Sequence, residues 1–139
     1  MPKKRDKGPK PYVLDIEKAT TKNTYYRTTI WTGEHLQATL MSIEVGDDIG
    51  LEVHPDNDQF LRLEQGRGRC QMGSSEKDLP FDEEVGADWA IFVPAGTWHN
   101  VTNIGDVPMR LYAIYGPSHH PHGTIHATHE EAEAAEHAD

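Results

Sequence analysis

A chain of 139 residues suits one domain around one core, and a net charge of −10 with its histidines neutral argues against nucleic acid or an anionic membrane as a partner. Apolar residues make up 36% of the chain, enough for a small β-barrel, and no segment approaches the ~20 consecutive apolar residues of a membrane span. A lone cysteine, Cys70, excludes an internal disulfide, and with no apolar leader run the expected location is the reducing cytoplasm.

In chain order, residues 1–20 open on "MPKKRDKGPKP", whose Pro, Gly and Lys content predicts a disordered basic arm. Residues 21–117 then alternate short apolar or β-branched runs with turn residues. The runs are "YYRTTIW", "LQATLMSIEV", "IGLEVH", "QFLRLEQ", "GRCQMG", "WAIFVP", "WHNVTN" and "MRLYAIY". Many short strands with Gly, Pro, Asn and Asp between them predict an all-β sandwich or barrel rather than βαβ units. In "QFLRLEQ" the alternation puts Gln59, Leu61 and Leu63 on one face and Phe60, Arg62 and Glu64 on the other. With Arg62 and Glu64 toward water, Gln59 points inward, where its amide needs a partner: a bound metal, a substrate or a core hydrogen bond. Residues 118–139 form a histidine-rich loop and a short acidic helix, with Thr128 as N-cap and Glu131 completing a capping box.

Two stretches carry chemistry. In "EVHPDNDQ", Glu52 and His54 are two apart, so a strand projects both to one face; the "PDND" turn then returns the chain so that Gln59 opens the next strand opposite them. In "PAGTWHN", Pro94 and Gly96 make a tight turn, with glycine suited to its last position, and deliver His99 on a rigid corner. A preorganised histidine loses little entropy on coordination.

Together these stretches resemble the cupin family. The family's first motif, G-x5-H-x-H-x3,4-E-x6-G, is matched in every spacing by Gly46, Glu52, His54, Gln59 and Gly66. Its second, G-x5-P-x-G-x2-H-x3-N, is matched by Pro94, Gly96, His99 and Asn103, with Asp88 at the first glycine. The likeness runs from about Tyr25 to Tyr115 and includes small single-domain cupins, some labelled sugar-phosphate isomerases. It implies a single-domain cupin, an RmlC-like jelly-roll β-barrel, closed by a short C-terminal helix. It further implies a metal site of Glu52, His54, Gln59 and His99, in which Glu52 replaces a histidine and Gln59 the glutamate. Two histidines and one carboxylate suit a divalent transition metal, whether Fe, Mn, Zn, Ni or Co. The alternative is a metal-free barrel in which the same four residues form a buried hydrogen-bond cluster or a polar floor.

Other residues invite lesser roles. His119, His120, His122, His126 and His129 read as a solvated loop, or as a cover for a neighbour's surface. His35 and Gln37 share a strand face with Thr39 and Met41, which reads as an ordinary mixed strand face, with a lining of the barrel mouth as the alternative. Trp98 faces away from His99, and nothing in the sequence fixes the direction of Tyr25, Tyr26 or Arg27. Functionally, the reading is a metal-dependent enzyme, isomerase or dioxygenase-like, on a small polar organic substrate such as a sugar derivative. Glu52 and His54 are its proton-transfer candidates where the metal does not claim them. The alternative is a non-catalytic module that binds or senses a small ligand. A homodimer is expected, because barrel edge strands need cover.

Overall fold

The computed structural model describes residues 5–136. Its chain order is α1 (Ile16–Lys22), β1 (Arg27–Thr32), β2 (Gln37–Ile43), β3 (Asp58–Gln65), β4 (Arg67–Gly73), β5 (Phe81–Gly86), β6 (Ala90–Val93), β7 (Trp98–Asn103), β8 (Met109–Gly116), β9 (Ile125–His126) and α2 (His129–Glu136). Two antiparallel sheets face each other, one in the order β6-β3-β8-β2-β1-β9 and the other β5-β4-β7. This is the all-β architecture that the strand pattern predicts, in the jelly-roll form that the family resemblance implies, with the expected short C-terminal helix.

Register explains where the interior lies. Leu63 pairs with Leu111 and Leu111 with Met41; Leu61 pairs with Ala113 and Ala113 with Thr39; Gln59 pairs with Tyr115 and Tyr115 with Gln37. Residues opposite one another across a ladder share a face, so these rows climb the inner wall from apolar to polar. Gln59 is buried there, as the alternation predicts. Arg27 pairs with Met41 and so joins the lowest row, facing inward and almost fully buried. Glu64 departs from expectation: it lies opposite Arg62's guanidinium at 2.8 Å with its side chain almost wholly covered.

Residues 5–20 are not a disordered arm. Asp15 caps α1 by accepting from the Lys18 amide, and Ile16 and Ala19 pack on Ile30, Ala38 and Leu40 across the outer face of the large sheet. Ahead of the helix, Lys7 N donates to the Ile30 carbonyl, Trp31 Nε1 to the Lys10 carbonyl, and Thr32 N to the buried Asp6 carboxylate. Composition misses this because the stretch ahead of the helix is held by backbone groups and one aspartate, and the helix itself by only a few apolar side chains. Residues 1–4 of the predicted arm, and 137–139 of the predicted tail, lie outside the described residues.

The "IGLEVH" run is also corrected. It is not a continuous strand: Gly50 takes φ +90°, and only isolated bridges tie the segment to β7, at Asp48–Thr102 and Glu52–His99. Strand β5 escapes a reading by hydrophobic alternation, since only Val85 of its six residues is buried. At the C-terminus, Thr128 Oγ1 accepts from the Glu131 amide at 3.1 Å, the capping interaction expected for α2.

Two motif positions have a backbone explanation. Gly96 has φ +79° and is the third residue of a Pro94–Thr97 turn closed by Thr97 N to the Pro94 carbonyl. It therefore supplies the left-handed residue of a type II turn, not the turn's last position. Asp88, where the second motif has glycine, is the non-glycine residue at positive φ, +73°. Aspartate tolerates that region better than most side chains, so the substitution preserves the turn.

Candidate metal centre

The local chain path brings the two motif stretches together. Past Gly50, the segment bearing Glu52 runs against β7, with Glu52 N donating to the His99 carbonyl and His99 N to the Glu52 carbonyl. Gly96 N donates to the His54 carbonyl at 2.9 Å, docking the turn before His99 onto the first stretch. The His54 and His99 rings lie 5.2 Å apart between centroids. Gln59 enters from β3 on the opposite sheet.

Each donor is prepared differently. His99 Nδ1 is 3.0 Å from the Thr97 carbonyl. A carbonyl accepts only, so Nδ1 carries the hydrogen and Nε2 carries the lone pair. That Nε2 is buried and has no hydrogen-bond partner among the described residues, and the same holds for both ring nitrogens of His54 and for Gln59 Oε1. Burial, followed by repulsion from His119, His99 and Arg27, pushes the His54 pKa down to about 3. Burial also lowers that of His99, against the bond to Thr97. Both imidazoles are therefore neutral, the ligating form. For the same reason the 3.8 Å approach of His54 Nε2 to Glu52 Oε2 is not an ion pair, and it is too long for a hydrogen bond.

Glu52 lies between two environments. Its Oε2 faces His54, and its Oε1 faces Arg27 Nη2 at 3.7 Å. Arg27 is 1% exposed, and its Nε and Nη1 have no hydrogen-bond partner among the described residues. The sequence left its direction open; register shows that it points into the barrel beside the carboxylate.

The histidine-rich segment supplies a second group that sequence reasoning placed elsewhere. His119 packs on His54 with ring centroids 3.9 Å apart, and ligand atoms of Glu52, His54 and His119 all lie within 4.8 Å of one another. His120 packs edge-on against Tyr115. Gln37, one row-mate of Tyr115, holds the segment in place: its Oε1 accepts from the amides of His119 and His120, and its Nε2 donates to the His120 carbonyl. Gln37 faces inward and anchors this segment, where the sequence favoured an ordinary mixed strand face, whereas His35 is exposed. The only signal for His119 was the histidine density itself, which says nothing about which ring packs on His54; His119 remains exposed at the mouth.

Two features lie outside this centre. Asp47, Asp48 and His129 cluster near α2, but there Nδ1 of His129 meets Asp47 at 2.8 Å and Nε2 meets Glu133 at 3.0 Å, so both nitrogens are already committed. An apolar cleft of about 690 Å³ opens between the sheet edges β5 and β6, lined by Met72, Phe81, Val85, Trp89, Ile91 and Phe92 among others. Among the described residues, no helix is long and apolar enough to cross a membrane.

Comparisons agree with this architecture. Residues 39–115 match the cupin domain family. YrkC of Bacillus subtilis is 57% identical over 132 residues, which cover 95% of this chain and 71% of YrkC. Protein L612 of Acanthamoeba polyphaga mimivirus is 42% identical, covering 82% of this chain and 70% of its own. The crystal structure of BH2720 from Bacillus halodurans superposes with a TM-score of 0.93 at 58% identity, covering 94% of this chain and 98% of that one.

Proposed function

Given that the chain belongs to the cupin family, we propose that its barrel binds a divalent transition metal through Glu52, His54, Gln59 and His99, and that it is a metal-dependent enzyme of the isomerase or oxygenase class. The observation that carries this reading is a set of buried, unpartnered lone pairs at one end of the barrel, where ligand atoms of Glu52 and His54 lie within 4.8 Å of each other and that of His99 lies outside their group. His54 Nε2, His99 Nε2 and Gln59 Oε1 have no hydrogen-bond partner among the described residues. Leaving such an atom buried and unsatisfied costs ~1–3 kcal/mol each. A cation accepts all three and also offsets the half-buried Glu52 carboxylate.

Such a cation would supply Lewis-acid polarisation of a substrate carbonyl or hydroxyl oxygen. The protein's own groups do the rest. Thr97 fixes the His99 tautomer, and Arg27 orients Glu52 so that Oε2 faces His54. The spare Nε and Nη1 donors of Arg27 bind an anionic group, so the substrate is a small polar organic acid or phosphate, including acidic sugar derivatives. Glu52, with an oxygen on each side, is the group positioned to move a proton. A second copy of the chain covers the exposed apolar rim of Phe81, Trp89 and Phe92 at the β5 and β6 edges. A non-catalytic ligand-binding role is the second reading, favoured by the His119–His120 segment lying across the site, an arrangement that would retain a ligand.

The test is metal analysis of the full untagged chain, followed by oxygen uptake and isomerisation assays on a panel of hydroxy acids, sugar acids and sugar phosphates. Stoichiometric metal that disappears in a His54→Ala/His99→Ala double variant is expected, together with turnover of an anionic member of the panel. Equal metal retention by the double variant would refute the site. Metal and ligand binding without turnover would select the second reading.

A further inference from the structure

We propose that His119, carried in by the C-terminal segment, is a ligand of the barrel metal, so that the centre comprises three imidazoles and one carboxylate and its occupancy fastens the chain's C-terminal segment over the site. The inference rests on the metal reading above and adds a residue and a coupling to it.

Geometry comes first. Metal–nitrogen and metal–oxygen bonds of ~2.0–2.2 Å place the ligand atoms of one ion about 3–4.4 Å apart. Those of Glu52, His54 and His119 lie within 4.8 Å of one another, so a shift of a few tenths of an ångström closes the set. The His54 and His119 rings meet at 59°, with centroids 3.9 Å apart. This is not the parallel offset of stacked rings, and His54 gains no hydrogen bond from the approach. The contact therefore leaves both His54 nitrogens unpartnered among the described residues, and sharing an ion would draw the two rings apart to about 4.6 Å or more between centroids.

Donor chemistry comes next. The amide oxygen of Gln59 is a neutral, weak donor, while imidazole suits every first-row candidate from Fe to Zn. His119 therefore strengthens a set that is otherwise one good ligand short.

The approach is also built rather than incidental. Gln37, with no exposed surface, clamps the His119 and His120 amides at 3.0 and 2.8 Å and the His120 carbonyl at 2.7 Å. The Asn57 amide donates to the Pro117 carbonyl, and Ser118 Oγ donates to the Gly33 carbonyl. Further along, Gly123 N donates to Asp6, the carboxylate that also holds Thr32. Preorganisation by such partners is what turns a histidine on a loop into a precise ligand. Because the ion would then bridge the barrel and this segment, metal binding and closure of residues 117–126 become one equilibrium.

The experiment is Co(II) titration and Cu(II) pulsed EPR on the full chain, with His119→Ala, Gln59→Ala and the exposed-site control His35→Ala. Loss of an outer-sphere partner lowers metal affinity ~10–100-fold, so loss of a ligand is expected to do no less. His119→Ala should weaken Co(II) by at least about tenfold and lower the EPR imidazole count from three to two, while His35→Ala leaves both unchanged. Hydrogen exchange on the unmutated protein gives an independent reading: Co(II) should protect residues 117–126. An unchanged affinity and imidazole count in His119→Ala, or no added protection of that segment in a protein that binds Co(II), overturns the proposal while the metal reading stands. Failure of the unmutated protein to bind Co(II) or Cu(II) overturns both.

Discussion

If the barrel's polar groups serve a ligand, removing the pair least suited to a dry interior should make the metal-free protein more stable. Arg27 and Glu52 are that pair. Arg27 is 1% exposed, makes no hydrogen bond through Nε or Nη1 among the described residues, and meets its carboxylate at 3.7 Å. At an effective dielectric constant of 20, that separation gives about 4–5 kcal/mol of attraction. Against it stands a desolvation cost of several kcal/mol for the buried guanidinium and a smaller one for Glu52, without the good hydrogen-bond geometry that makes a buried pair break even. The double variant Arg27→Met/Glu52→Gln removes both charges together. Methionine follows the path of the arginine stem beside Met41 and can adapt to the space.

The expected result, measured by urea denaturation of the chelator-treated protein, is a gain of about 1–4 kcal/mol, the range observed when buried ion pairs give way to packed apolar groups. The single variant Arg27→Met should behave differently, because it leaves Glu52 without its counter-charge, and it should destabilise. With metal present, the unmutated protein should recover its advantage, since only it retains the full ligand environment. A double variant less stable than the parent by more than about 1 kcal/mol in chelator would show that these charges hold the barrel together, and the argument from strained polarity to function would fail.

Other outcomes follow from the backbone and from titration. Gly66→Ala should lose about 1–3 kcal/mol in the same denaturation assay, because Gly66 sits at φ +97° and an added Cβ would lie 3.0 Å from the Met109 Cα. Asp88→Gly should be neutral or stabilising by up to ~2 kcal/mol: it relieves a positive φ worth ~1–2 kcal/mol, against an exposed Arg62 ion pair worth ~0–1. A melt that drops several degrees would contradict that balance. His129 has a raised pKa: burial opposes the shift, but bonds to Asp47 and Glu133 and the nearby Asp48 outweigh it, and the ring stacks on Tyr26. Its contribution is therefore complete below the ordinary histidine value of ~6.5 and is lost as pH rises through the higher folded value. Amide exchange in α2, corrected for intrinsic rate, should thus rise relative to that in β8 above neutrality, and His129→Gln should abolish the trend.

What the sequence discloses here is what local periodicity and spacing encode. The inward direction of Gln59 follows from one strand's alternation. The motif spacings bring Glu52, His54 and His99 to one end of the barrel because each lies beside a turn whose geometry is written in Pro and Gly. Arg27 was not legible in the same way. Its strand is buried on both faces, by the barrel within and by α1 without, so Arg27, Thr28, Thr29 and Ile30 show no alternation of burial. Once α1 is known, the parity is fixed by Ile30, which packs outward with Ala38 and Leu40. His119 was hidden for a different reason: its position depends on Gln37, more than eighty residues earlier in the chain, and on no local pattern.

The rows of the inner wall show how one small barrel accommodates so polar a centre. Leu63, Leu111 and Met41 share the lowest row with Arg27, and Leu61 and Ala113 lie in the next; all are almost completely buried. Each fully buried large aliphatic side chain contributes ~1.5–3 kcal/mol, which concentrates stability at that end. The upper row of Gln59, Tyr115 and Gln37 contributes less apolar burial and leaves the Gln59 amide oxygen unpaired among the described residues, while Gln37 divides its amide between the His119–His120 backbone and the Thr32 hydroxyl. The polar end is therefore the end least able to close itself, and it is also the end over which the histidine-bearing segment is laid. A ligand that gathers His54, His99 and Gln59 from the two sheets, with His119 from the covering segment, would satisfy both needs at once: it would pair the orphaned donors and tie down the cover. On this account the chain's weakest layer and its chemical site coincide because the same unsatisfied groups produce both.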